Sequence, residues 1–111
     1  MTYADLINQL KTLPLEEVRN NSQQFFEFVI RVDRISELSS ILEKYFSSPL
    51  KPAGENPSKE IEQLVAGYGG IRGNQTLYRL EEEKSAYYTM LWPWENGILV
   101  TAKVFQVERR D

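Results

Sequence analysis

Asn96-Gly97, set between Trp94-Glu95 and Ile98-Leu99, constrains this chain more than any other pair of residues. Both central residues of a type I′ turn need positive φ, and Asn and Gly tolerate it best. The pair therefore predicts a tight hairpin, and a tight hairpin fixes a register. Trp94 falls opposite Leu99, Trp92 opposite Thr101, Met90 opposite Lys103 and Tyr88 opposite Phe105. Residues directly opposite share a face of the sheet. The other face then carries Pro93 with Val100, Leu91 with Ala102 and Thr89 with Val104.

The polar stretch Glu81-Glu82-Glu83-Lys84-Ser85 joins this hairpin to a preceding strand from Gln75 to Leu80. With an even-numbered loop there, Leu80, Tyr78 and Thr76 join the second face, and Arg79, Leu77 and Gln75 the first; an odd-numbered loop swaps them.

Upstream, the apolar period changes from helical to alternating and back. Thr2 and Asp5 form a helix start, and Tyr3, Leu6, Ile7, Leu10 and Leu13 follow at helical spacing. Pro14 interrupts that helix, and Leu15-Glu16-Glu17-Val18 reads as one further turn. Phe26, Phe28, Ile30 and Val32 alternate with Phe25, Glu27, Val29 and Arg31, as in a strand with one very apolar face. Asp33 is placed to cap a second helix, which Ser47-Ser48-Pro49 stops. Asn56 and Pro57 open a third, burying Ile61, Leu64 and Val65 and ending at Gly67 or Gly69.

The expectation is a single α+β domain over residues 1–111. Helices are expected near 3–12, 34–46 and 57–66, and strands near 25–32, 75–81, 86–93 and 98–107. That is an antiparallel sheet of about four strands in the order α-β-α-α-β-β-β, with helices mainly on one face.

The residue inventory narrows the chemistry. The chain has no histidine and no cysteine. Histidine-based triads, thiolate nucleophiles, zinc–thiolate sites and iron–sulfur clusters are thereby excluded. Thirteen basic against 16 acidic residues give a net charge of −3, which argues against general nucleic-acid binding. Beyond Arg109-Arg110 there is no basic run. Neither a secretory signal nor an apolar stretch long enough to span a bilayer is visible, so the expected location is the cytoplasm. Asn20-Asn21-Ser22 and Asn74-Gln75-Thr76 then read as chance sequons.

Two local motifs invite a site and resolve into structure. Gly67-Tyr68-Gly69-Gly70-Ile71-Arg72-Gly73 has Arg72 where a dinucleotide fingerprint needs glycine, and it closes a helix instead of opening one. It reads as a helix cap and turn, with an anion contact at Arg72 as the alternative. Glu81-Glu82-Glu83 lacks the spacing of a calcium loop and reads as a solvated turn.

What remains is the first sheet face, where Tyr88, Met90, Trp92 and Phe105 stand beside Arg79 and Lys103. Mid-strand charges are costly to bury unpaired, which assigns this face to the outside. Such a composition matches an interface core. The competing reading is that the chain covers the face itself, the N-terminal helix being the candidate, in a three-layer fold. The functional expectation is a non-enzymatic interaction or regulatory domain that self-associates as a homodimer or meets a protein partner through Tyr88, Met90, Trp92, Phe105, Arg79 and Lys103. The alternative is a small-ligand domain with a pocket between helices and sheet, Tyr68, Arg72 and Tyr78 lying near its mouth. No cofactor or metal is expected under either reading.

Overall fold

The computed structural model describes residues 1–109, so Arg110 of the terminal basic pair lies outside the described residues. Helix α1 (Tyr3–Leu10) opens with a capping box, in which Thr2 Oγ1 accepts from the Asp5 N–H and the Asp5 carboxylate accepts from the Thr2 N–H. It is followed by β1 (Glu17–Asn21), β2 (Phe25–Arg31), α2 (Ile35–Phe46), α3 (Lys59–Leu64), β3 (Thr76–Glu81), β4 (Ser85–Pro93) and β5 (Leu99–Glu108). The five strands form one antiparallel sheet in the order β1-β2-β5-β4-β3.

Several expectations are corrected. The sheet has five strands where about four were expected, because the segment read as a helical turn around Leu15–Val18 pairs with β2 instead. All five β1 residues are exposed, so no alternation betrays the strand. Asp33 does not cap α2. A 3-10 turn at Val32–Arg34 leads into that helix, and the Asp33 carboxylate accepts from Arg31 Nε at 3.3 Å. Ser58, not Asn56, caps α3, its Oγ accepting from the Ile61 N–H.

The hairpin keeps its predicted register, with Trp92 opposite Thr101, Met90 opposite Lys103 and Tyr88 opposite Phe105. Its turn differs from type I′. Gly97 has φ +69°, but among the described non-glycine residues only Ser47 has positive φ. Asn96 contributes through its side chain instead, Oδ1 accepting from the Ile98 N–H at 2.9 Å and the Leu99 N–H at 3.3 Å. A Cβ on Gly97 would meet nothing within 4 Å, so substitution there costs backbone strain alone. Gly97→Val is expected to lower stability by about 1 kcal/mol, read in a thermal melt.

Helices lie mainly on one face, as expected: α1 and α2 share it, and only the short α3 lies on the other. Helices α1 and α2 cover the side bearing Phe26, Phe28, Ile30, Tyr78, Leu91, Val100, Ala102 and Val104, where Leu6, Leu10, Leu38 and Leu42 are fully buried. The opposite side carries a second core of Leu77, Ala86, Tyr88, Met90 and Phe105, packed with Val65 and Ile71 and flanked by Ile61, Leu64 and Tyr68. The fold therefore has three layers. Residues 51–75, not the N-terminal helix, form the third.

That layer is fastened at its edge by Lys51. The Lys51 backbone pairs with Leu77 in both directions, at 3.1 and 2.9 Å, extending the sheet beyond β3. Its side chain is 1% exposed, and Nζ donates to the carbonyls of Pro52 and Gly73 at 3.0 Å each and to that of Gln75. Three acceptors satisfy all three ammonium protons. Burial pulls the Lys51 pKa below the usual lysine value, and Glu55 opposes the shift.

Candidate functional site

The first sheet face is built in transverse rows, because antiparallel pairing places one residue from each strand in line. One row runs Phe25–Phe105–Tyr88–Arg79 across β2, β5, β4 and β3. Its rings stack at 5.6 Å for Phe25–Phe105 and 5.2 Å for Tyr88–Phe105. Each such pair contributes about 0.5–1.5 kcal/mol beyond area burial. Arg79 closes the row, with its guanidinium 5.7 Å from the Tyr88 ring centre and Nε donating to Tyr88 Oη at 3.2 Å. Tyr68, from the covering layer, stacks on Phe105 at 4.0 Å.

The next row is Glu27–Lys103–Met90–Leu77. Lys103 does not leave the face for solvent. Its Nζ sits 3.6 Å from the Trp92 ring centre and donates to the Tyr68 carbonyl at 3.2 Å. Burial lowers the Lys103 pKa, and Glu27, its cross-strand neighbour, pulls it back up. The covering layer comes close here: a Cβ on Gly69 would stand 2.4 Å from the Trp92 ring.

The sequence-predicted residues thus share a face as expected, but not an open one. Tyr88 is 5% exposed, Phe105 1% and Met90 0%. The expectation of a solvent-facing cluster is corrected for these three, since no partner reaches them without displacing residues 51–75. The mid-strand charges that argued for exposure are accommodated differently: Arg79 lies against Tyr88 and pairs with Glu81, and Lys103 lies on Trp92. Partial exposure survives at Trp92, Arg79 and Lys103.

Beyond the cover, the face continues through residues outside the predicted set. Trp94 follows the end of β4, and its Nε1 donates to Thr101 Oγ1 at 2.8 Å. The Arg19 guanidinium lies 5.4 Å from the Trp94 ring and 3.9 Å from the Glu27 carboxylate. It also bonds Glu17 at 3.1 Å. Trp92 and Trp94 are both partly exposed, each with a cation against its indole. Trp94 was legible from the hairpin register; Arg19 was hidden because its strand carries no alternation.

The alternative trio does not assemble. Tyr68 packs on the first face against Phe105, whereas Tyr78 is buried on the opposite face against Phe46. Arg72 is exposed, its backbone N–H donating to Gln75 Oε1 at 2.7 Å. The glycine-rich loop works as a cap, with Gly69 and Gly70 at positive φ and the Gly70 N–H returning to the Val65 carbonyl. A shallow cleft of about 350 Å³ does include Tyr68, together with Gln24, Lys84, Ser85 and Glu108, but neither Arg72 nor Tyr78.

No helix among the described residues is long and apolar enough to cross a membrane. Comparison with family models, with curated proteins and with solved structures gave no match, so the meaning of this surface rests on its own geometry.

Proposed function

We propose that the chain is a non-enzymatic interaction domain that self-associates through the uncovered end of its aromatic sheet face. The observation that carries this reading is the pair Trp92, at the edge of the covering layer, and Trp94, beyond it, both partly exposed and each holding a cation on its ring. Tryptophan and arginine are the residues most enriched at binding hot spots. Side chains already fixed by π contacts and hydrogen bonds lose little further freedom on binding.

Charge favours a second copy of the chain as the occupant. Arg19 and Lys103 share the patch with Glu17 and Glu27, so two copies related by a twofold axis can set acid against base reciprocally. A patch of one sign would instead repel itself.

The test is sedimentation velocity over a wide concentration range. A concentration-dependent dimer is expected, and Trp94→Ala should weaken it by about 2 kcal/mol, or roughly thirtyfold, while the melting temperature holds. A chain that stays monomeric at the highest attainable concentration overturns self-association, as does a dimer indifferent to Trp94.

A further inference from the structure

On the opposite face of the sheet, a cleft of about 430 Å³ opens between α1 and the turn joining β1 to β2. We propose that this cleft binds a neutral saccharide. The cleft shares no lining residue with the tryptophan patch.

The lining carries the argument. Four carboxamides line the cleft from three parts of the chain: Asn8 on α1, Asn21 and Gln23 at the turn, and Gln106 on β5, whose Nε2 also donates to Ser85 Oγ at 3.2 Å outside the cleft. A carboxamide offers an acceptor oxygen and two N–H donors, and a hydroxyl is both donor and acceptor. One amide can therefore give to and take from vicinal sugar hydroxyls, which neither a carboxylate nor an ammonium can do. Among the described residues no carboxylate lines the cleft, and Lys11 is the one ionised group there. A single exposed ammonium is strongly screened and contributes little to holding an anion.

The wall on the α1 side is apolar, made by Tyr3, Ala4 and Ile7, and suits the C–H face of a pyranose ring. The Tyr3 ring is held in place by stacking on Tyr87 at 4.9 Å. Its phenol pKa is pushed up to about 12 by burial and by the neighbouring Tyr87; the hydroxyl oxygen itself is buried, so the ring alone faces the cleft.

Both walls are preformed. Helix α1 is pinned by its capping box and by Leu6 and Leu10, each 0% exposed. The turn is closed by the Ser22 N–H on the Phe25 carbonyl at 2.9 Å and by the Phe25 N–H on Ser22 Oγ at 3.1 Å. Beside it, the Gln106 N–H donates to the Gln24 carbonyl at 3.0 Å, locking β5 to the turn. The volume lies within the ~300–1,000 Å³ usual for small-molecule sites, and preformed walls lower the cost of binding.

The experiment is a titration of the ¹⁵N-labelled chain with glucose, N-acetylglucosamine and maltose, with acetate as an anionic probe. Saturable amide shifts are expected with at least one sugar, confined to residues 3–11, 21–23 and 106. The double variant Asn21→Ala, Gln106→Ala should weaken that response by about tenfold, as loss of two hydrogen-bonding groups does, while distant amides keep their positions. No saturable shift with any of the three sugars overturns the proposal. So does a response to acetate alone, or an unchanged response in the double variant.

Discussion

Lys51→Met is expected to destabilise the chain by about 3 kcal/mol, measured by chemical denaturation. Methionine matches the lysine stem in length and polarity of packing surface but donates nothing. The carbonyls of Pro52, Gly73 and Gln75 then lose the ammonium that joins them. A buried polar group left without its partner costs about 1–3 kcal/mol, and carbonyls that relax toward water recover part of that. Lys51→Arg should not rescue the loss, because a planar guanidinium cannot place three donors at the corners an ammonium reaches. If Lys51→Met melts like the parent, the ammonium is not what fastens residues 51–75.

Gly69→Ala should cost about 3 kcal/mol, with a smaller loss in Gly70→Ala as its control. Both glycines have positive φ, +101° at Gly69 and +75° at Gly70. They differ in surroundings. A Cβ at Gly70 meets nothing within 4 Å, whereas one at Gly69 falls 2.4 Å from the Trp92 ring and 3.3 Å from Lys103 Nζ. Backbone strain alone accounts for about 1 kcal/mol in each variant. The excess in Gly69→Ala measures how firmly Trp92 is held, and its fluorescence should shift as the ring gives way. Equal losses in the two variants would mean that the indole moves aside freely.

The division of the sheet into two faces is legible in the sequence because alternation and a short hairpin leave few registers. Phe105 and Tyr88 end up paired as the positions of Asn96 and Gly97 require, although the turn uses the Asn96 side chain where positive φ was expected. β1 is not legible, since an exposed edge strand has no apolar face to announce it. The identity of the cover is not legible either. Val65, Tyr68 and Ile71 reach the sheet from the end of a short helix, a 3-10 turn and a loop, and no single period links them. Lys51 reads as one more loop cation until Gly73 and Gln75, more than twenty positions away, are folded beside it. Arg19 fails for a related reason: its value lies in Trp94, a partner just past the end of β4.

The place of β5 has a consequence for how the chain is made. The strand latest in sequence lies at the centre of the sheet, between β2 and β4. Before residues 99–108 have left the ribosome, β1–β2 and β3–β4 can exist only as separate hairpins. Isolated hairpins are marginal in water, and each would present an unpaired edge, with Phe26, Phe28 and Ile30 along one of them. Closure then pairs Phe25 with Phe105 across most of the chain, and pairings between such distant positions are slow to form. Synthesis therefore passes through a period in which apolar edges outnumber their partners, the state from which chains aggregate. For this protein, the hazard of misassembly ends only when its central strand arrives.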